Sequence, residues 1–145
     1  MKKTIFLIVF CAGSMMLFAQ QNRYQNAPDE VRRSYQREYP NYNDNTWDMR
    51  NNKWHTRYTD RDHGNRYVDV YYDRRGRRMK SQMEWNRNDL PPQVRDRIRN
   101  RYHYDNDNYQ VYRIERPGRG FFFQISLGRN RVIYLDERGR EVRYY

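Results

Sequence analysis

Three histidines are the residues in this chain that could most readily act as general bases or metal ligands: His55, His63 and His103. No two of them stand four residues apart, and the sequence contains no HExxH or other zinc pattern. His63 falls in a predicted turn, and His103 follows a predicted helix, where the helix dipole favours a cation. We therefore predict three solvated surface histidines and no metal site.

Nucleophiles and anion-binding loops are equally scarce. Beyond residue 19 the serines are Ser34, Ser81 and Ser126, and none is flanked by the glycines of a nucleophile elbow. The Gly118–Gly120 segment is too short for a phosphate loop, and the Asp105–Asn108 segment lacks the central glycine and distal glutamate of a calcium loop. No carboxylate pair stands out for acid–base chemistry. We therefore expect no enzymatic activity and no cofactor, with a hydrolase of unrecognised site as the least favoured alternative.

The composition indicates how such a chain folds. It has 145 residues, one cysteine, 32% charged residues, 17% aromatic residues and a formal net charge of +11. High charge with few aliphatic residues is typical of disorder, but the 15 tyrosines and three tryptophans bury large areas and can build a core. These values exclude a transmembrane transporter, a disulfide-rich miniprotein and a large cofactor enzyme.

Residues 1–19 have the pattern of a secretory signal peptide. Lys2 and Lys3 precede an apolar run, and Ala19 supplies the small residue at the cleavage site. The run is shorter than the roughly 20 residues that span a bilayer, so we expect cleavage in preference to an uncleaved anchor, and no transmembrane segment in the mature form. Cleavage would remove Cys11 and two lysines, lowering the formal charge from +11 to +9. We predict a periplasmic or secreted protein, with residues 20–27 as a flexible leader.

The remaining sequence repeats at a constant offset of 63 residues. The matched pairs include Pro28 and Pro91, Val31 and Val94, Tyr39 and Tyr102, Tyr71 and Tyr134, Asp73 and Asp136, Arg75 and Arg138, and Gly76 and Gly139. Matches at both ends of the unit leave almost no net insertion. We interpret this as a tandem duplication, with repeat 1 at residues 28–89 and repeat 2 at residues 90–145 in one compact domain.

The sequence pattern of each repeat predicts a helix followed by three or four antiparallel strands. The helices open at the prolines, where a missing N–H is tolerated, and the strands alternate apolar and polar residues with a period of two. Asp73–Gly76 and Asp136–Gly139 predict type I turns in which the glycine adopts positive φ. Over Trp47–Tyr58 the register between the repeats drifts. The predicted fold is α+β, with a continuous antiparallel sheet of six to eight strands and both helices on one face.

Several of these motifs resemble a known family. They are the helix-ending Tyr39-Pro40, the strand end Tyr-Asp-x-x-Gly, and Leu90-Pro91-Pro92-x-Val94 at the start of the second copy. Over most of residues 27–145 the chain resembles the PepSY-like, β-lactamase-inhibitor-like family of secreted bacterial proteins. The resemblance implies a fold similar to that of β-lactamase inhibitory protein and a non-enzymatic binding or inhibitory role in the periplasm. This chain lacks the disulfide cysteines of that inhibitor and is basic, so no contact residue is carried over.

The sheet face opposite the helices is the predicted binding surface. Its predicted side chains alternate with the predicted core, and the candidate binding residues are His55, Arg57, Tyr71, Lys80, Phe122, Gln124, Tyr134 and Arg143. Aromatic residues interleaved with long polar side chains are typical of protein-recognition surfaces, and are equally compatible with the solvated side of a two-layer domain. The equivalent pair Tyr71 and Tyr134 are the strongest single candidates.

Two partner classes follow from these observations. The first is an unidentified periplasmic or envelope protein that the open sheet face would bind. The alternative is an anionic polymer (acidic glycan, lipopolysaccharide or nucleic acid), attracted by the +9 mature charge. Arginine is interspersed with aspartate and glutamate along the chain, which favours the protein partner. Strong salt dependence of binding would favour the polymer.

Overall fold

The computed structural model describes residues 26–43, 45–104 and 108–144. The helices are α1 (Asp29–Glu38) and α2 (Pro92–Tyr102), with a short 3₁₀ turn at Arg87–Asp89. The strands are β1 (Trp47–Arg50), β2 (Lys53–Asp60), β3 (Arg66–Tyr72), β4 (Arg78–Glu84), β5 (Tyr109–Arg116), β6 (Gly120–Leu127) and β7 (Arg131–Leu135). The predicted signal peptide and most of the predicted leader lie outside the described residues, as does the Asp105–Asp107 part of the calcium-like segment.

The strands form one open antiparallel sheet in simple chain order, from β1 to β7. Together with the two helices this confirms the predicted α+β class and the predicted sheet of six to eight strands. Beyond β7 the chain continues along the sheet edge: Glu141 forms a bridge with Leu135, and the Val142 N–H donates to the Tyr134 carbonyl over 2.9 Å. We call residues 141–144 the C-terminal segment.

Prolines set the start of both helices. Pro28 stands immediately before α1, and Pro91 stands immediately before α2, which itself begins with Pro92. A fixed φ suits the first turn of a helix, where the missing N–H has no intrahelical partner to lose. At its other end α2 stops at His103, whose backbone is left-handed with φ 50° and whose N–H bonds to the Ile98 carbonyl.

Both helices cover the same face of the sheet, over two adjacent core clusters. The cluster under α1 comprises Ala27, Val31, Tyr35, Trp47, Trp54, Val68, Val70, Tyr72 and Met83. The cluster under α2 comprises Leu90, Val94, Ile98, Val111, Phe123, Ile125, Leu127, Ile133 and Leu135. Trp85, at the β4 exit, packs against both clusters and joins them. In the first cluster the aliphatic side chains are small, so aromatic rings fill most of the core volume.

Two glycine-containing turns of the sheet pack closely against the helix backbones at equivalent positions. Gly76 and Gly139 have φ of 74° and 72°, as the predicted turns require. A Cβ at Gly76 would lie 2.7 Å from the Glu30 carbonyl oxygen, and one at Gly139 would lie 2.6 Å from the Gln93 carbonyl oxygen. Both the backbone angle and the close helix contact therefore require glycine. Gly139 lies 63 residues after Gly76, and Gln93 lies 63 residues after Glu30. This spacing equals the offset of the predicted duplication.

Candidate functional site

The face opposite the helices, here called the open face, is formed by the strand side chains that alternate with the core. Strand register places seven of the eight predicted binding residues on it: His55, Arg57, Tyr71, Lys80, Phe122, Gln124 and Tyr134. The eighth, Arg143, is an exposed residue of the C-terminal segment beyond β7. The predicted face is therefore present, and its two halves differ in chemistry.

A histidine clamped by two carboxylates organises the half built from β1–β4, which we call the polar half. His55 Nδ1 lies 2.6 Å from Asp48 Oδ1, and His55 Nε2 lies 2.6 Å from Asp69 Oδ1. Ionised carboxylate oxygens only accept hydrogen bonds, so both bonds form together only when the ring carries two protons. This chain of three side chains ties the edge strand β1 through β2 to β3.

The prediction that His55 is a solvated surface histidine is wrong. Its side chain lies on the open face, but the residue is only 4% exposed. Asp48 and Tyr71 are its cross-strand neighbours on β1 and β3, and the Tyr71 ring lies 4.9 Å from the imidazole. His55 is therefore a structural element of the polar half, and its ring is not available for direct contact with a partner.

Asp69 is the most strongly bonded carboxylate of the polar half. Besides His55, it accepts bonds from Arg57 Nε at 2.9 Å and Arg57 Nη2 at 3.2 Å. Burial raises the pKa of Asp69, but the bonds from His55 and Arg57 outweigh it and lower the pKa to about 2. Asp69 is thus ionised throughout the neutral range, and it fixes the Arg57 guanidinium at the surface.

Tyr71 forms the contact between the clamp and the middle of the sheet. Its ring packs on His55 on one side, and Lys80 Nζ lies 4.7 Å from the ring centroid on the other. Lys80 Nζ also donates to Gln82 Oε1 over 2.9 Å. Burial, followed by the Asp69 charge, raises the pKa of the Tyr71 hydroxyl, so this residue is neutral and able to donate a hydrogen bond.

The half built from β5–β7 and the C-terminal segment is organised by packed aromatic rings, with Gln124 among them, and we call it the aromatic half. Ile114 pairs with Phe122 across β5 and β6, and the Phe122 ring lies 6.0 Å from the rings of Tyr134 and Tyr144. Tyr134 and Tyr144 stack at 4.6 Å with an interplanar angle of 7°. Arg116 lies over the Tyr144 ring at 4.3 Å. Gln82 on β4 pairs with Ile114 and joins the two halves.

Phe122 was predicted to face solvent, and this is wrong. The ring lies on the open face as expected, yet it is only 8% exposed, because Tyr134 and Tyr144 pack against it. Ile114, on the same face, is completely buried. The open face therefore carries a small apolar cluster of its own, separate from the two clusters under the helices.

Sequence reasoning missed several residues of this face. Asp48 lies in β1, where the register between the repeats drifts, and Tyr144 reaches the face only because residues 141–144 follow the sheet edge. Val111 and Ile114 stand three residues apart on one strand, a spacing that already indicates opposite faces. Tyr67, 63% exposed beneath the Arg57 guanidinium, alternates with Val68 and was available from the same pattern.

The described residues hold no group of three or more histidine, cysteine, aspartate or glutamate side chains that could bind a metal ion. Over residues 26–43, 45–104 and 108–144, no helix has the length and apolarity needed to cross a membrane.

The chain was compared with protein families, curated proteins and solved structures. No protein-family profile matches the chain, and no curated protein matches it. Several solved structures have a similar arrangement of sheet and helices. A candidate periplasmic protein from Bacteroides eggerthii has 15% identity and a TM-score of 0.69, covering 82% of this chain and 88% of that chain. A DUF2874 family protein from Bacteroides uniformis has 16% identity and a TM-score of 0.69, covering 81% of this chain and 88% of that chain.

A third structure decides the fold. A BLIP-like protein (one similar to β-lactamase inhibitory protein) from Bacteroides fragilis has 18% identity and a TM-score of 0.65, covering 83% of this chain and 86% of that chain. The fold is BLIP-like. This agrees with the inhibitor-like part of the resemblance found in the sequence, whereas membership of the PepSY-like family stays a prediction. At these identities the likeness concerns the fold, and the open face of this chain is described by its own residues.

Proposed function

We propose that the protein is an exported, non-enzymatic binding module that recognises a protein partner through the open face. The observation that carries this proposal is the row of aromatic and long polar side chains across the face that no helix covers. It runs from Tyr71 and Lys80, through Gln82, to Tyr134 and Tyr144. Tyrosine anchors amid long polar side chains are characteristic of protein interfaces.

The two halves suit different parts of the recognition. In the aromatic half, Tyr134 and Tyr144 present apolar ring surface over a buried Phe122, as binding hot spots do. In the polar half, Arg57 is held by Asp69 and lies over the exposed Tyr67 ring. A fixed guanidinium loses little side-chain freedom on binding, so it contributes orientation and specificity.

Export to the periplasm or beyond is part of the same proposal. The predicted signal peptide supports it, as does the structural likeness to the candidate periplasmic protein from Bacteroides eggerthii. The BLIP-like fold supports a binding role over catalysis, with the partner class, a periplasmic or envelope protein, proposed on the same grounds. The repeats at residues 28–89 and 90–145 would then supply one half of the face each.

Matched variants test the face. Arg57→Ala and Tyr134→Ala alter the open face, whereas Arg99→Ala removes an arginine from the exposed surface of α2, on the opposite side. Each variant is immobilised and exposed to the envelope fraction of the source cells, and captured proteins are quantified by mass spectrometry after a high-salt wash. We expect Tyr134→Ala to reduce capture of a discrete protein at least tenfold, consistent with loss of a hot spot, and Arg99→Ala to leave it unchanged.

Two results would contradict the proposal. One is equal capture by the wild type and both open-face variants. The other is a loss caused by Arg99→Ala that matches the loss caused by Arg57→Ala, because the binding surface would then include the helices. Circular dichroism of each variant verifies that the fold is retained.

A further inference from the structure

A recess lined by arginines lies at one end of predicted repeat 2, beside the aromatic half, and its lining also includes Phe121, Phe122 and Val142. It has a volume of about 530 Å³ and is bounded by the β5–β6 turn, the start of β6, the turn after β7 and the C-terminal segment. Its lining includes the five arginines Arg116, Arg119, Arg138, Arg140 and Arg143, with Asp136 and Glu137 as the carboxylates. The recess therefore carries an excess of positive charge.

Two of the five guanidinium groups already have contacts in the fold. Arg140 Nε donates to Asp136 Oδ2 over 2.7 Å, and Asp136 Oδ1 also accepts the backbone N–H groups of Arg138 and Arg140. Arg116 lies over the Tyr144 ring. The Asp136 carboxylate is thus occupied in holding its own turn, and its pKa is lowered because the bonds from Arg140 and Arg138 outweigh burial, which alone would raise it. It forms no ion pair with Arg119, Arg138 or Arg143.

The side chains of Arg119, Arg138 and Arg143 are exposed, and none forms an ion pair with any other described residue. Three guanidinium groups around one recess repel each other in the absence of an anion. A carboxylate offers two oxygens and suits a single guanidinium fork, whereas a phosphate dianion offers three acceptor oxygens and twice the charge. The number of positive charges and donors in the lining thus favours phosphate over carboxylate.

We infer that this recess binds a phosphate group through Arg119, Arg138 and Arg143. The inference is independent of the open-face proposal, since it uses none of Tyr71, Tyr134 and Arg57. It gives a defined location to the anion-binding alternative that the net charge suggested. It also gives Arg143, predicted as an open-face residue, a different role.

The predicted duplication provides a matched control. Arg138 is the third residue of the Asp136–Gly139 turn, and Arg75 is the third residue of the equivalent Asp73–Gly76 turn. The backbone N–H of each donates to the first aspartate of its turn over 2.9 Å. Arg75→Gln therefore removes one arginine charge from the equivalent position of the equivalent turn, and this turn lies outside the recess.

The probe is inorganic pyrophosphate, titrated into the purified protein at low ionic strength and followed by isothermal calorimetry and by amide NMR shifts. We expect saturable binding, with shifts centred on residues 116–122 and 136–143. Arg138→Gln, Arg119→Gln and Arg143→Gln each weaken it about tenfold, the effect of losing one charge-assisted bond. Arg75→Gln leaves the affinity unchanged. Absence of saturable binding, or equal weakening by Arg75→Gln, would overturn the inference.

One variant should act in the opposite direction. Glu137 lines the recess and forms no ion pair with a described residue, so Glu137→Gln removes a repulsive charge and should tighten pyrophosphate binding about threefold. Unchanged or weaker binding would count against the recess.

Phosphatidylcholine vesicles with and without phosphatidic acid then distinguish a lipid phosphate from a soluble one. Binding to the acidic vesicles that is lost in Arg138→Gln assigns a lipid headgroup, binding to pyrophosphate alone assigns a soluble phosphate, and vesicle binding that survives Arg138→Gln contradicts the site.

Discussion

The two halves of the open face are held rigid by different interactions. The polar half depends on ion pairs and hydrogen bonds that cross three strands, from Asp48 through His55 to Asp69 and Arg57. The aromatic half depends on ring packing, with Phe122 buried under Tyr134 and Tyr144. Equivalent faces of the two predicted repeats thus reach the same result, an ordered surface, by charge pairing in one and by apolar burial in the other.

This difference teaches that the two predicted repeats resemble each other more closely in their contacts with the helices than in the chemistry of their exposed face. Gly76 and Gly139 make the same contact with the backbone of α1 and α2. On the open face, the strand positions of His55 and Phe122 have no such correspondence. Each half of the surface is held by its own contacts, so variants of each half should fail in different ways.

The largest effect is expected from the aromatic half. Phe122→Ala should lower the free energy of unfolding by about 3 kcal/mol, because it opens a cavity beside the fully buried Ile114. Phe121→Ala, the same substitution on the preceding residue, removes a half-buried ring from the helix side and should cost less stability. Urea denaturation measures both. A loss for Phe122→Ala no greater than that for Phe121→Ala would show that the aromatic half is not an apolar cluster.

The polar half should be sensitive to acid. The pKa of Asp69 is lower in the folded protein, about 2, than its ordinary value of 3.8. Its ionised form therefore stabilises the fold above about pH 4, and this stabilisation of about 2 kcal/mol is lost as the pH falls through 2. Urea denaturation over this range should show the decline in the wild type and a flatter profile in Asp69→Asn. Parallel profiles would contradict the role given to Asp69.

The smallest effect is expected at the chain end. Tyr144→Ala should lower the free energy of unfolding by about 1 kcal/mol, because it removes a stacked ring pair and uncovers part of Phe122. Tyr67→Ala, on the polar half, removes a ring that is mostly exposed and should leave stability almost unchanged. Thermal denaturation compares the two. An equal loss in both variants would mean that the C-terminal segment does not contribute to the aromatic half.

Local sequence patterns were sufficient to predict most of the fold. Proline positions predicted both helix starts, the Asp-x-x-Gly turns predicted the positive φ of Gly76 and Gly139, and period-two alternation assigned Tyr71 and Tyr134 to the correct face. These features depend on residues within a few positions of each other, so a single sequence carries them.

Burial on the open face could not be predicted in the same way. Alternation indicates which way a side chain points, whereas burial depends on neighbours that are distant in sequence. His55 is covered by Asp48 and Tyr71 from two other strands, and Phe122 is covered by Tyr144, which lies 22 residues later along the chain. The register of β1 and the course of the C-terminal segment decide both, and neither has a local signal in the sequence.

The most direct test of the open face as the binding surface is site-specific photo-crosslinking in the source cells. A photoreactive side chain replaces Gln82, at the junction of the two halves, or Arg99, on the outer surface of α2. The proposal predicts a discrete adduct with one envelope protein from position 82 and none from position 99. An adduct from position 99 alone, or the same adduct from both positions, would contradict it.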